Sequence, residues 1–475
     1  MLSIIIHCHC TAQHKTTVKT VEMFKTQASE NIQANYDKYK TIALNIWDYA
    51  EVGYKEFKSS TLLQNTLKEN GFNVEAGVAG IPTAFVATYG TGKPVIGILA
   101  EFDALPGLSQ SNSPTRAPVD NKNSGHACGH HLFGTGSVAA GIAIKKLMLE
   151  GKIKGTLKVF GCPAEEGGSG KVYMVREGLF ADVDVAIHWH PADNNSVTYT
   201  SALANKSAKF RFYGIASHAS MSPEKGRSAL DAVEGMDYMV NMMREHVPQE
   251  TRIHHVITNG GKAPNVVPEF AEVYYYIRSP EREVAVNIFD RVVKAAEGAA
   301  LGTETKMDFE IIGGTHDLLI NKTLAVAMQA NLQKVGGVHY TPDEMVFAKK
   351  IQTTFSGKVP VPDSAAFVKP LYRENAQGST DVGDVSYAVP TVGLQAATWV
   401  PGTGAHSWQA IASGGTDIGI KGMMVAAKTI AYSAIDLFTN AELIKKAKEE
   451  FKTSKGSYQY KALLGDRKPA LNYRD

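Results

Sequence analysis

An α/β protein with a second, α+β domain inserted into it is what this sequence predicts, on three observations. Buried-strand apolar runs alternate with helix-period segments over the first 200 residues and again after residue 314, the pattern of a largely parallel sheet covered by helices. Between them, residues 201–313 carry strand, helix, strand, strand, helix, strand, the order of a ferredoxin-like unit. Potential metal ligands gather where predicted strands end, which is where an open α/β sheet places its ligand crevice. A chain of 475 residues calls for two or three cores. The expected division is a tail over 1–22, a main domain over 23–200 and 314–475, and the insert over 201–313.

The elements follow in order. Ile42, Ile46, Trp47 and Tyr49 recur at helical spacing, and a second amphipathic stretch over 60–69 stops at Gly71, so two helices are expected to open the domain. A strand over 83–89 is followed by the turn GTGKP and by VIGILA (95–100), a run apolar on both faces. A small-residue helix over 132–150, a strand over 156–160, the loop CPAEEGGSGK, a further helix and a strand over 183–188 continue the alternation. In the insert the strands are KFRFYG, IHHVITN, AEVYYYI and KMDFEII, with helices over 228–245 and 283–300. The main domain resumes with the strand PTVGLQ (390–395) and a helix over 416–438.

Composition excludes several classes. Lys+Arg 49 against Asp+Glu 47 gives a net charge of +2, and 44% hydrophobic with 20% charged residues is an ordinary globular make-up, not that of a disordered chain or of a nucleic-acid-coating surface. Apolar runs such as 95–100 and 183–187 fall short of the roughly 20 residues that cross a bilayer, so no membrane span is expected. Four cysteines (Cys8, Cys10, Cys128, Cys162) are too few for a disulfide scaffold and form no paired CxxC site. The stretch MLSIIIHCHCTAQHK lacks the basic n-region and apolar length of a secretory signal. It reads as the retained tail of a cytoplasmic protein whose folded part begins at Met23, with the His7 to Cys10 cluster inert.

Five clusters carry possible chemistry: Glu101 and Asp103 in AEFDALPG, His126 to His131 in GHACGHH, Glu165 and Glu166 in GCPAEEGG, His188 and His190 in AIHWHP, and His406 in GTGAHSWQ. Cys128 and His130 can face one ion because Gly129 between them permits a sharp bend. Thiolate with imidazole favours zinc or another borderline divalent ion. Adjacent glutamates can divide their labour, Glu166 on metal and Glu165 as general base. Each cluster alone is more often solvated surface; their joint occurrence points to a metal centre. Rival motifs fail. GGSGKV has Glu165 where a phosphate loop needs its first glycine and Val172 after Lys171, no GxSxG is present, and HAC with CPAE is not the zinc-deaminase pattern. Cys128 as a thiol nucleophile lacks an evident spatial partner, since its histidines are only sequence neighbours.

The strings EFDALPGLSQ, GHACGHHLFG, GCPAEEGGSGK, His190-Pro191, GRSALDAV, NVVPEFAEVYYYIR, GSTDVGDVS and HSWQ, spread over residues 31–438, resemble the two-metal amidohydrolases and peptidases that include aminoacylase, glutamate carboxypeptidase and the plant auxin-conjugate hydrolases. The nearest branch is that of the p-aminobenzoyl-glutamate hydrolases and their dipeptidase relatives. The resemblance implies that Cys128, His130, Glu166, His190 and His406 bind two divalent ions, Mn2+ or Zn2+, that Glu165 is the general base and that Asp103 orients a ligand from behind. It implies that the insert forms a homodimer, with His218 of SHAS reaching the other subunit's site and Asn265 and Arg278 near substrate, or that the chain joins a related partner in a hetero-oligomer. Two departures stand out: Glu101 occupies a position where wider members carry histidine, and His131 follows CGH where the branch has Asn or Asp. Whether His131 or His188 also touches metal stays open. The implied activity is hydrolysis of an N-acyl amino acid amide, p-aminobenzoyl-glutamate first, with β-alanyl or ordinary dipeptides as the alternative substrates and a non-catalytic binding subunit as the alternative of another class.

Overall fold

The structure, a computed structural model, describes residues 17–375 and 378–475, so the His7 to Cys10 cluster and the rest of the tail through residue 16 lie outside the described residues. Three helices open the fold instead of two: Val18–Ala34, Tyr36–Tyr49 and Phe57–Glu69. The first begins ahead of the expected start at Met23, because the Thr17 hydroxyl caps it by accepting the Thr20 N–H and its inner face buries Phe24, Ala28 and Ile32.

In chain order the strands of the two sheets are β1 (Asn73–Ala76), β2 (Phe85–Gly90), β3 (Val95–Glu101), β4 (Thr156–Cys162), β5 (Val185–Ala192), β6 (Ser196–Val197), β7 (Ala204–Tyr213), β8 (Arg252–Asn259), β9 (Phe270–Ser279), β10 (Lys306–Thr315) and β11 (Thr391–Ala397). The larger sheet runs β1-β2-β4-β3-β5-β11-β6. Its centre, β4-β3-β5-β11, is parallel, and the pairs toward either edge are antiparallel. Every residue of β3 is buried, as a parallel strand covered on both faces requires. The helices His130–Leu149 and Asp417–Thr439 pack on this sheet and on each other. Both are long and apolar enough to cross a bilayer, yet 78% and 83% of those apolar windows are buried inside the protein, which makes them core helices.

The insert is an antiparallel sheet of order β8-β9-β7-β10 with the helices Ala229–Met243 and Arg282–Gly302 packed on it, the split βαβ arrangement. It has its own core, which includes Phe210, Met236, Tyr275 and Phe289. Its edge strand β8 is exposed over most of its length. After the helix Ala441–Lys455, residues 456–475 form no regular element and run back across the molecule.

Candidate metal centre

The C-terminal ends of the central parallel strands converge on one cavity. Glu101 closes β3, with Asp103 two residues on, while His190 lies in β5. Cys128 and His130 flank Gly129, which sits at φ +77° against Pro191, and a Cβ there would stand 2.6 Å from the proline's own Cβ. Only glycine allows that bend and that approach. His130 begins the long core helix and is fully buried.

The imidazoles are oriented from behind. His130 Nδ1 donates to Asp103 Oδ1 at 2.8 Å, and the other oxygen of Asp103 accepts the Glu166 N–H at 2.9 Å. His190 Nδ1 donates to the Pro191 carbonyl at 2.7 Å, which leaves the Nε2 lone pair facing Cys128 Sγ at 3.5 Å. In both rings an acceptor holds the Nδ1–H and turns Nε2 to the common centre, as ligand imidazoles require. His406, at φ +60°, brings Nε2 to 3.2 Å from Glu166 Oε1. Three donor groups result, each with its atoms within 4.8 Å of one another: Cys128, His130 and His190; Cys128, Glu166 and His406; Glu101, His130 and Glu165. Cys128 and His130 each belong to two of them, so the three groups adjoin.

The local charge calls for cations. Glu101, Glu165 and Asp381 act on the buried ammonium of Lys171, which lies 2.7 Å from Glu101 Oε1 and 2.6 Å from Asp381 Oδ1, and the charges of Asp103 and Glu166 stand beside them. Burial, then the charges of Glu101, Glu166 and Asp381, pushes the Glu165 carboxyl well above the carboxylate range. Burial and Glu101 push Asp381 up to about 6 in spite of Lys171. Burial also opposes ionisation of Glu166, but the hydrogen bond from His406 and the charge of His130 outweigh it and hold its carboxyl low. His130 is driven well above the imidazole range against its burial by Cys128, Asp103 and Glu101. Glu101 Oε2 and His130 Nε2 face each other at 3.2 Å, buried and without a hydrogen-bond partner. Such orphaned atoms cost roughly 1–3 kcal/mol each unless something binds them, and a divalent ion among these S, N and O donors fits.

Of the two histidines left open, His188 lines the cavity and His131 does not. His131 turns away, with Nε2 at 3.1 Å from the Gly414 carbonyl and its ring against His126, and is in none of the donor groups. His188 stands over Gly393, where a Cβ would meet its Nε2 at 2.2 Å, and is likewise outside them. Burial lowers His188 to about 3, so it stays neutral.

The cavity holds about 600 Å³; Cys128, Glu165, Glu166, His190 and His406 line it from the main sheet, and Asn205 and Arg278 from the insert. The Arg278 Nε is buried without a partner. His218 and Asn265 do not line it: both are exposed, in adjoining turns where the Ala219 N–H donates to the Asn265 carbonyl at 3.0 Å. Sequence reasoning missed Lys171 and Asp381 as partners of Glu101. The one signal for them was the Glu101 departure itself, an extra buried negative charge that needs a cation.

The family model described as peptidase family M20/M25/M40 matches residues 97–356. The chain is 41% identical to one of the p-aminobenzoyl-glutamate hydrolase subunits of Escherichia coli (strain K12), over 88% of this chain and 93% of that protein. It is 28% identical to the Xaa-Arg dipeptidase of Mus musculus, over 91% and 93%. Among solved structures, an aminobenzoyl-glutamate utilization protein from Klebsiella pneumoniae superposes with a TM-score of 0.61 at 18% identity, over 86% of this chain and 98% of that one. A dinuclear metal-binding peptidase of the M20 family from Bacillus subtilis superposes with 0.58 at 16%, over 85% and 98%. Matched over more than half its length by the family model and along nearly its whole length by a relative at 41%, this chain belongs to peptidase family M20/M25/M40, as a metal-dependent hydrolase of amide bonds.

Proposed function

We propose that the protein hydrolyses the amide of p-aminobenzoyl-glutamate or a related aminoacyl-glutamate. The observation that carries this is the 41% identity, over 88% of the chain, to a component of a hydrolase named for that substrate. Cys128, His130, Glu166, His190 and His406 are the proposed ligands of two divalent ions, Mn2+ or Zn2+. Bound there, the ions supply the Lewis acidity that makes water nucleophilic near neutral pH. Asp103 holds the His130 tautomer. Glu165, whose proton affinity is raised by burial and by neighbouring carboxylates, takes the proton of the attacking water and returns it to the leaving amine. Arg278, unpaired at Nε and lining the cavity, is placed to receive a substrate carboxylate.

In this reading the exposed β8 edge pairs two copies through the insert, and His218 and Asn265 serve the other subunit's site. The free, buried thiols of Cys128 and Cys162 suit a reducing cytoplasm. A second substrate class, dipeptides, is favoured by the 28% identity to an Xaa-Arg dipeptidase. A hetero-oligomer is favoured by the further likeness to the other p-aminobenzoyl-glutamate hydrolase component of Escherichia coli (strain K12), 28% identical over 54% of this chain. The test is metal content by elemental analysis, with turnover of acyl-glutamates and dipeptides by Mn2+- or Zn2+-loaded protein with and without chelator. Chelator-sensitive cleavage fastest on p-aminobenzoyl-glutamate supports the first reading, and a preference for dipeptides replaces it with the second. A metal-free protein inert on both classes returns the chain to a binding role.

A further inference from the structure

The loop that carries Glu165 and Glu166 does not hold its own shape. Ala164 and Ser169 sit at φ +55° and +59°, Glu166 has ψ 67° and Gly167 φ +91°, so the turn between β4 and the helix Gly170–Arg176 is neither helix nor strand. Non-glycine residues in the left-handed region cost of the order of 1 kcal/mol each and persist only when surroundings fix them. Here the fixing groups are remote. Glu56 Oε1 accepts the Ala164 N–H at 2.8 Å, and the Tyr54 hydroxyl donates to the Gly168 carbonyl at 2.7 Å. The Glu166 carbonyl receives two donors from more than 300 residues further along the chain, the Tyr473 hydroxyl at 3.0 Å and Arg474 Nη2. Tyr473 packs edge-on against Tyr54 with centroids 5.5 Å apart. Its hydroxyl fits because residue 53 is glycine; a Cβ there would stand 2.1 Å from that oxygen.

We propose that Tyr473 and Arg474 are positioning residues for the metal-binding and base carboxylates. This rests on the reading of Glu166 as ligand and Glu165 as base given above. Asp103 fixes the N–H of Glu166, Tyr473 and Arg474 fix its carbonyl, and His406 meets its carboxylate. With both sides of its backbone tied, the Glu166 side chain leaves the backbone in one direction, and Glu165 before it is carried along. Without the two distant donors the strained turn can relax toward ordinary φ/ψ and carry both carboxylates away from Cys128 and His190.

The experiment uses the full chain and four variants: Tyr473→Phe with Arg474→Met together, Tyr473→Phe alone, which keeps the ring, Arg474→Lys, which keeps a donor, and Lys55→Ala. The last removes the Lys55 pair with Asp475, 2.6 Å apart on the same segment, without touching the Glu166 carbonyl. Hydrogen exchange of residues 163–170 is followed in metal-free protein, Zn2+ affinity by competition with a chromophoric chelator, and kcat separately from KM. Loss of groups that hold ligands from behind typically lowers metal affinity or activity by about 10–100-fold. The double variant should show that loss, with about tenfold faster exchange confined to the loop and KM within about threefold. Tyr473→Phe should fall between it and the parent, and Arg474→Lys and Lys55→Ala should stay within about threefold of the parent. Unchanged loop exchange in the double variant, or equal losses in Lys55→Ala, overturns the proposal. Should the parent bind no Zn2+ at all, the reading of the metal centre fails by itself, and the loop exchange still decides the clamp.

Discussion

The two walls of the cavity are built on opposite principles. On the main-sheet side the candidate groups have supports behind them: Asp103 behind His130, the Pro191 carbonyl behind His190, Lys171 beside Glu101, and Glu166 held both along its backbone and at His406. The insert brings Arg278, buried at Nε without a partner, while His218 and Asn265 stand in exposed turns away from the cavity. A site whose geometry must be fixed before the substrate arrives has its supports within the same core. In the reading proposed above, the insert's residues wait for something that arrives later, a substrate carboxylate or a second subunit.

The largest expected effect lies on the rigid wall. Glu165→Gln keeps the size and shape of a half-buried side chain and removes only its ionisable group, so folding and metal content should hold. Turnover should fall about 10²–10⁴-fold, the usual contribution of a general base. Metal content and turnover both unchanged would remove Glu165 from that role and break the comparison at its strongest point.

Next in size is Lys171→Met. It leaves Glu101 and Asp381 facing each other in the core without their shared cation, and removing one member of a buried ion network typically costs about 3–5 kcal/mol. Chemical denaturation of metal-free protein measures it. A loss under about 1 kcal/mol would mean that the two carboxylates simply take up protons, in keeping with the raised position of Asp381.

These residues also mark how much was legible beforehand. Alternating apolar runs located the central strands, because a parallel strand buried on both faces leaves a continuous signature such as VIGILA. Cysteine, histidine and paired glutamates at strand ends stood out because metal chemistry needs those residue types there. Lys171 and Asp381 lie in two of the matching strings, GCPAEEGGSGK and GSTDVGDVS, but nothing in either announces that the two pair across 210 positions, and Glu101 alone hinted at a buried cation. Glu56, Tyr473 and Arg474 fall in segments with no periodicity that would join them to the EEGG loop. The first helix was missed because its polar surface hides a narrow apolar stripe of Phe24, Ala28 and Ile32.

The insert's side is tested by mixing. Glu165→Gln and His218→Ala, each inactive as a pure protein, should complement after mild dissociation and re-association if His218 serves the partner's site. A mixed dimer then has one site with both residues intact and one with neither. With random exchange about half the dimers are mixed, so activity should recover to about a quarter of the parent value. No recovery, with mixed dimers confirmed by mass, confines His218 to its own subunit and makes the insert a scaffold.

The smallest effect concerns charge on the insert. Arg211 on β7 reaches Glu272 at 2.8 Å and Glu310 at 2.6 Å on the two flanking strands, a three-strand ion network that looks on paper as rich as the one around Lys171. Its setting differs: the Arg211 side chain is 26% exposed and that of Glu310 44%, against 0% for Lys171. Water and salt screen the outer pairs, and holding long side chains in one geometry offsets part of the attraction. Arg211→Ala should therefore cost about 1 kcal/mol or less, and the loss should shrink further in 0.5 M salt, a concentration at which the Debye length is about half its value at 0.1 M. The Lys171→Met loss, generated where solvent ions do not reach, should stay nearly constant over the same range. Equal magnitudes, or equal salt sensitivity, would show that the two ion networks are not distinguished by burial, and the contrast between the main domain and the insert would have to be drawn elsewhere.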